Sequence, residues 1–182
     1  RIERIYRDVP SHDIIDGSKY TNFRQLVQDE MKKRKTKCVC IRCREVKDKA
    51  HEIPKLFIDE YNASGGKEYF ISYESADKKT LYAFTRLRFP SKDTKNILPP
   101  LKKAAIIREL HTYGQLVPLD ENSNQRSQHK GLGKKLLKKA ETIAKKEGYD
   151  TMAVISGVGV RKYYEKLGYE LEENYGYMIK SL

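Results

Sequence analysis

Long apolar runs are missing from this sequence. None approaches the roughly 20 residues that a transmembrane helix needs, which excludes an integral membrane protein. The N-terminal residues also lack the short apolar stretch of a secretory signal, so we expect a cytoplasmic protein. The chain begins with Arg1 rather than Met, and we expect it to be a fragment of something longer. Its 182 residues, 38% of them hydrophobic, suffice for one substantial domain with a core of its own.

Cysteine is scarce, and Cys38, Cys40 and Cys43 are confined to one C-x-C-x-x-C motif. Three thiolates at this spacing can fill three positions of a tetrahedral zinc site, and the neighbouring Lys and Arg residues favour the thiolate form. In a reducing compartment a structural disulfide is not expected. The fourth ligand stays open between His12, His51 and a residue outside the chain. The alternative is free cysteines on an extended strand, where Cys38 and Cys40 would share one face.

The positive charge is concentrated in two short blocks. The net charge is +12. Residues 30–49 hold nine Lys and Arg against three acids, and residues 130–146 hold seven Lys against Glu141 alone. Such blocks predict a polyanionic partner, either nucleic acid or a phosphate-rich ligand. The alternative for each block is a solvated helix face.

The hydrophobic pattern predicts a mixed α/β domain. Asn22 and Gln25 resemble a capping box at the start of a helix over 22–34. We place an N-terminal extension with this helix and the cysteine motif in residues 1–50, and the main domain in residues 51–182. In the main domain we predict strands over 56–63, 68–74, 81–88, 104–117, 152–156 and 177–179, helices over 131–147 and 159–166, and a loop over 89–103.

Two glycines stand at the start of the clearest amphipathic helix. They let the backbone approach a ligand closely, and the free N–H groups and dipole of a helix N-terminus favour an anion such as pyrophosphate. The pattern is neither a Walker loop nor a dinucleotide fingerprint. The alternative is an ordinary helix start with flexible glycines. The predicted ligand contacts are Gln128, His129, Lys130, Gly131, Leu132, Gly133 and Lys134.

The Q-x-x-G-x-G pattern of residues 128–133 resembles the acyl-CoA pyrophosphate loop of GCN5-related N-acetyltransferases (GNAT), and YYEKLGY at 163–169 resembles their second signature. The resemblance implies the GNAT fold, a mixed and mostly antiparallel sheet flanked by helices. It also implies that the long strand, through residues 110–112, holds the pantetheine arm, and that Tyr164 protonates the departing CoA thiolate. The resemblance likewise makes Tyr163 a catalytic candidate and assigns both Tyr163 and Tyr164 to the cofactor. Packing in the core or in the cofactor wall is the alternative role of the two tyrosines. Gly157 and Val160 depart from the Asn and Ala of many members. The strand residues assigned to the cofactor are Leu110, His111 and Thr112.

The similarity extends to one family. Residues 107–114 (IRELHTYG) and 153–164 (AVISGVGVRKYY) resemble the C-terminal acetyltransferase-type domain of the Elongator catalytic subunit family, and the similarity covers the whole chain. It implies that acetyl-CoA, cleaved when tRNA is bound, supplies the acetyl unit for the C5 carboxymethyl group of the wobble uridine. It also implies that the full-length protein has a radical S-adenosylmethionine domain with an iron–sulfur cluster. The cysteine motif of such a domain is absent from this sequence, so we expect the domain elsewhere in the protein.

Within that family, further residues become candidates for the site. Glu109 and His111 lie two apart on the long strand and share a face; they are candidates for a base, a water-orienting group or a uridine contact, with Tyr113 beside them. The alternative is a paired carboxylate and a satisfied histidine. The first basic block is expected to contact tRNA phosphates through Lys32, Lys33, Arg34, Lys35, Lys37, Arg42 and Arg44.

Two other functions stay open. One is a protein lysine acetyltransferase, although a basic histone peptide would be repelled by the charge of this domain. The other is a non-catalytic module that binds tRNA and only retains the acyl-CoA scaffold.

Overall fold

The computed structural model describes residues 10–17, 19–46, 53–91, 97–113 and 131–182. The chain divides into two compact units between Glu45 and Val46. Among the described helices, none combines the length and the apolar composition that crossing a bilayer requires.

The first unit is helical. It contains a 3₁₀ turn at Ser11–Asp13 and the helices α1 (Phe23–Lys33) and α2 (Ile41–Arg44). The predicted helix over 22–34 is confirmed as α1. The predicted capping box is wrong: the Asn22 side chain makes no capping hydrogen bond, and the Gln25 amide donates to Asp29 at 2.9 Å instead. A partner four residues ahead lies on the same helix face and is therefore within reach of Gln25.

The second unit is built on one mixed sheet. Its described strands run in the order β1-β2-β3-β4-β5-β7-β6. All neighbours pair antiparallel except β4 and β5, which are parallel. The strands are β1 (Lys55–Ala63), β2 (Gly66–Glu74), β3 (Leu81–Phe89), β4 (Ala104–Thr112), β5 (Thr151–Ile155), β6 (Glu170–Glu172) and β7 (Tyr177–Ser181). The helices of this unit are α3 (Leu132–Lys146) and α4 (Arg161–Glu165).

Within the residues that the structure describes, the predicted elements are confirmed, with four differences. The sequence does not predict β6, whose three residues are too few to show an alternating pattern. The loop predicted over 89–103 contains a 3₁₀ turn at Pro99–Leu101, and the short helix predicted over 159–166 begins as a 3₁₀ turn at Val158–Val160. The strand predicted over 104–117 reaches Thr112, and residues 114–117 lie outside the described part.

The first hairpin follows from its two turn residues. Ala63 pairs with Gly66, so Ser64 and Gly65 alone connect β1 to β2. Both have positive φ, 45° at Ser64 and 69° at Gly65. A two-residue turn of this hand matches the twist of the strands that it joins, and glycine adopts it without strain.

Helix α3 covers one face of the sheet. Its apolar stripe is buried and belongs to the same core as Ile71, Leu87 and Ile107 of β2, β3 and β4. Burying each leucine of the stripe contributes about 1.5–3 kcal/mol. The buried residues of the stripe are Leu132, Gly133, Leu136, Leu137, Ala140 and Ala144. The stripe fixes the rotation of α3, and with it the direction in which the other side of the helix points.

Candidate acyl-CoA site

Strands β4 and β5 separate halfway along β4. Their parallel pairing ends at Ile107 and Val154, whereas β4 continues to Thr112. A β-bulge accompanies the separation, because Arg86 of β3 pairs with Glu109 and Leu87 pairs with Ile107, which leaves Arg108 as the extra residue. A bulge bends and twists its strand. In the described part of the chain, residues 108–112 therefore have no partner strand on the β5 side.

Helix α3 begins at this opening. Gly131 caps it with φ +83°, a left-handed conformation that disfavours other residues. A Cβ atom on Gly133 would lie 3.0 Å from the Tyr163 hydroxyl and 3.4 Å from Thr112 Cγ2. The end of β4, the start of α3 and the helix α4 thus meet at one point. Gly131 and Gly133, the two glycines predicted to contact the ligand, lie at this start of α3.

The helix start offers backbone rather than side-chain contacts. No side chain that the structure describes caps α3, and its first turn holds no acidic residue, so its N–H groups and dipole are suited to an anion. The side chain of Leu132 is buried in the core, which leaves only its backbone for a ligand. Lys134 is exposed at the same end. The predicted contacts Gln128, His129 and Lys130 lie outside the described residues.

The two signature tyrosines differ in their surroundings. Tyr164 is 7% exposed and packs edge-on against Tyr163 and Tyr169, with ring centroids 5.2 and 5.7 Å away. Burial, followed by the proximity of Tyr163, raises the pKa of Tyr164 to about 12. Burial also raises the pKa of Tyr163. Both phenols therefore hold their protons at neutral pH, and the Tyr163 hydroxyl reaches the start of α3.

Glu109 and His111 share one face of β4, as predicted. Glu109 lies 3.6 Å from the Arg86 guanidinium, and the exposed His111 ring stacks on Phe84 with centroids 5.1 Å apart. Tyr113 continues the stack, 6.3 Å from His111. Side chains alternate along a strand. Thr112, which contacts the start of α3, therefore lies on the opposite face from Glu109 and His111.

The buried carboxylate of Glu68 lies near Arg86, the ion-pair partner of Glu109. Glu68 was not among the predicted site residues. The Glu68 side chain is 4% exposed, and its oxygens lie 3.2 Å from Arg88, 3.2 Å from Arg108 and 3.9 Å from Arg86. The Tyr61 hydroxyl donates to it at 3.0 Å. Burial raises the pKa of Glu68, but the Tyr61 hydrogen bond and the arginine charges outweigh it and bring the pKa below its usual value. The alternation of Arg86 and Arg88 on β3 is the sequence signal that could have indicated this cluster.

In the first unit the three cysteines come together. Their Sγ atoms all lie within 4.8 Å of one another. Cys38 and Cys40 precede α2 and Cys43 lies inside it, so the helical turn overturns the alternative of one extended strand. Arg24 and Gln28 donate to Cys43 Sγ at 3.1 and 3.4 Å. Among the described residues no fourth ligand joins the cluster, and His51 lies outside them.

The residues predicted to contact tRNA lie in the same unit. Three of them pair with acidic residues of α1: Lys32 with Asp29 at 3.3 Å, and Lys33 and Arg34 with Glu30 at 3.7 and 2.9 Å. The Arg44 side chain donates to a backbone carbonyl, that of Val39. The others, Lys35, Lys37 and Arg42, are exposed.

Comparisons with known proteins agree with this geometry. Residues 124–169 match the model of the Acetyltransferase (GNAT) family. The chain is 45% identical over 193 residues to the tRNA uridine(34) acetyltransferase of Dehalococcoides mccartyi, and the match covers 100% of this chain and 40% of that protein. It is 41% identical over 191 residues to Elongator complex protein 3 of Drosophila melanogaster, with 100% and 34% covered.

A solved structure shows the same fold. The archaeal Elp3 of Methanocaldococcus infernus with an N-terminal deletion matches with a TM-score of 0.76 and 41% identity, over 98% of this chain and 43% of that one. The resemblance to the Elongator catalytic subunit and the GNAT fold are thereby confirmed. The chain spans 40% and 34% of the length of the two relatives compared above.

Proposed function

This chain is a homologue, over its whole length, of one region of the tRNA uridine(34) acetyltransferases and Elongator complex protein 3, and on that premise we propose that it is the acetyl-CoA-binding domain of a tRNA-modifying acyltransferase. The enzyme builds the C5 carboxymethyl group of the wobble uridine, and acetyl-CoA supplies the acetyl unit. The remainder of the full-length protein contributes the radical S-adenosylmethionine chemistry and its iron–sulfur cluster.

The observation that carries the acetyl-CoA assignment is the meeting of Gly133, Thr112 and Tyr163 at the end of β4, beyond the point where β4 and β5 stop pairing. The pyrophosphate binds at the start of α3, where N–H groups, the helix dipole and Lys134 favour negative charge. The pantetheine arm lies along residues 110–112, whose backbone has no described partner on the β5 side. An amide-bearing arm can add to such an edge as a further strand does.

The chemical step is cleavage of the thioester. A water oxygen attacks the acetyl carbonyl carbon, the bond from that carbon to sulfur breaks, and the acetyl unit is released as acetate. The CoA thiolate leaves with the electron pair and takes a proton. Tyr164 is the proposed donor, and its raised pKa keeps the phenol protonated across the neutral range. Glu109 and His111 are the proposed groups that orient the water or accept its proton, and the Arg86 ion pair holds the Glu109 carboxylate in place.

The cysteine cluster has a separate, structural role in this proposal. Three sulfurs within 4.8 Å of one another are the donor set that zinc prefers. Cys38, Cys40 and Cys43 would hold the ion, and zinc would fix the fold of the segment that carries the first basic block. The fourth ligand comes from residues outside the described part or from the rest of the protein. This segment, residues 32–44, contacts tRNA phosphates in the proposal.

Calorimetric titration tests the proposal. Acetyl-CoA is added to the intact protein, first alone and then with an unmodified tRNA transcript. We expect saturable binding in both cases and heat of turnover only with tRNA. Turnover without tRNA that labels a lysine peptide would instead indicate a protein acetyltransferase. Binding without turnover in either condition would indicate a tRNA-binding module on an acyl-CoA scaffold.

A further inference from the structure

The outward side of α3 carries an unusual density of one charge. Six lysines occupy it, and the helix contains a single acidic residue. At 3.6 residues per turn the six fall within an arc of about 140° and extend over about 18 Å of the helix. Five of them are exposed and Lys139 is half-buried. The lysines are Lys134, Lys135, Lys138, Lys139, Lys145 and Lys146.

Glu141, the acidic residue of α3, does not neutralise the charges of the six lysines. Glu141 is turned towards the sheet, with 17% of its side chain exposed, and accepts hydrogen bonds from the Tyr169 hydroxyl at 2.8 Å and from Lys180 at 3.0 Å. Within the described residues, none of the six lysines forms an ion pair. Lys134 and Lys138, and likewise Lys135 and Lys139, are also like-charge pairs four residues apart, an arrangement that disfavours the helix.

The basic residues at the end of α1 differ from the lysines of α3 because they have acidic partners. There, Lys32, Lys33 and Arg34 have Asp29 or Glu30 within 4 Å, so part of their charge is already neutralised. A phosphate that approaches α1 must compete with these carboxylates. One that approaches α3 relieves repulsion between lysines and releases its own condensed counterions.

The composition of the side of α3 that carries the six lysines favours binding to RNA over binding to a membrane. The remaining exposed residue of the arc is Thr142, and the apolar residues of α3 are buried or half-buried on the sheet side. An interfacial membrane helix needs an apolar face that can enter the lipid, whereas the apolar face of α3 is buried in the core. Lysines spaced along a helix can instead follow the phosphates of a nucleic acid backbone, and they read charge rather than sequence.

We propose that this lysine face of α3 binds the phosphate backbone of the tRNA and is the larger of the two basic contacts in the chain. The inference rests on the proposed function and adds to it the place where the tRNA lies. Because α3 begins at the acyl-CoA opening, a backbone bound along it passes next to the end of that site where the pyrophosphate is proposed to bind.

The test compares two charge-reversal variants of the intact protein. The first is Lys135→Glu, Lys138→Glu, Lys145→Glu on α3. The matched control, Lys55→Glu, Lys102→Glu, Lys103→Glu, changes the net charge by the same amount at exposed lysines of the same unit. The affinity for a tRNA transcript is measured at several salt concentrations, and acetyl-CoA affinity and the thermal unfolding curve are measured alongside. The glutamine version of the α3 variant replaces it if the reversal unfolds the protein.

We expect the α3 variant to lose affinity for tRNA and its salt slope to fall by about 2–3, close to one for each lysine removed. The control should keep the slope of the wild type, and all proteins should keep their affinity for acetyl-CoA. Equal tRNA slopes in the α3 variant and the control would overturn the inference and leave the proposed function intact. Failure of the wild type to bind tRNA, with capture of α3 by phosphatidylserine vesicles, would overturn both.

Discussion

The hydroxyl of Tyr163 lies 3.0 Å from the point where a Cβ atom on Gly133 would stand. This contact joins the two sequence signatures of the chain, the glycine-rich helix start and the tyrosine pair. It also explains the glycine, because any larger residue at 133 would push α3 away from α4 or displace the tyrosine ring. The spacing between these elements sets the width of the proposed acyl-CoA site.

Gly133→Ala should therefore weaken acetyl-CoA binding and lower the free energy of unfolding by about 1–3 kcal/mol, the usual range for overpacking. Calorimetry and denaturant unfolding measure the two effects. Adding Tyr163→Phe removes the oxygen that the new methyl group would meet, so the double variant should regain part of the loss. If the double variant is no better than Gly133→Ala, the clash lies elsewhere.

A carboxylate at the start of α3 should abolish acetyl-CoA binding. In Gly131→Glu the new side chain brings negative charge to the place proposed for the pyrophosphate. Gly131→Gln is the matched control, because it imposes the same backbone strain at φ +83° without the charge. We expect calorimetry to show at least a tenfold weaker affinity for Gly131→Glu than for Gly131→Gln, about 1.4 kcal/mol or more. Equal affinities would remove the pyrophosphate assignment.

Tyr164→Phe should slow tRNA-dependent cleavage of acetyl-CoA by about 100-fold or more, the effect of losing a general acid, with little change in acetyl-CoA affinity. The rate of free thiol release measures the first quantity and calorimetry the second. With its pKa raised to about 12, Tyr164 should also cause no loss of activity up to pH 10. An unchanged rate would leave Tyr164 a packing residue, and Tyr163→Phe would then be the variant to compare.

Glu68→Gln should destabilise the second unit by about 3 kcal/mol, because it leaves three arginines around a neutral group. The folded pKa of Glu68 lies below 4.5, its usual value. Its contribution to stability is therefore complete above pH 4.5 and is lost as the pH falls from 4.5 through the folded pKa. Urea unfolding between pH 3 and 7 should show a weaker acid dependence for Glu68→Gln than for the wild type.

Glu60→Gln is the control for that series. Glu60 lies on β1 and is exposed, and it pairs with Lys67 at 3.1 Å. Water and salt screen an exposed pair of this kind, so its removal should change the free energy of unfolding little. If Glu60→Gln lowered the free energy of unfolding as much as Glu68→Gln does, burial of Glu68 among its arginines would not be the reason that this carboxylate stabilises the second unit.

The purified protein should contain one zinc ion for each chain, and chelation should lower its midpoint of thermal unfolding. Cys40→Ser should abolish the bound metal, since a hydroxyl replaces one of three sulfur ligands. Val39→Ala, at an exposed neighbouring position, should leave both metal content and unfolding unchanged. Elemental analysis and thermal unfolding measure these outcomes. Protein that is folded and free of metal as isolated would contradict the assignment.

The sequence by itself was sufficient wherever the signal is local. The apolar repeat of α3 and the turn residues Ser64 and Gly65 each specify their structure within a few residues, because helix period and turn hand are short-range properties. The two glycines and the tyrosine pair were likewise enough to indicate the GNAT fold, which the structural match confirms.

Tertiary structure alone decided how distant segments meet. Glu68 acquires its three arginines only when β2, β3 and β4 lie side by side, and Glu109 lies opposite Arg86 because a bulge at Arg108 shifts the register of β4 against β3. The register of paired strands depends on packing across the whole sheet, and a one-residue shift reverses every side chain. The same packing buries one side of α3 and so turns its lysines together towards solvent, whereas Lys33 and Arg34 at the end of α1 are offset by Glu30, about one helical turn away.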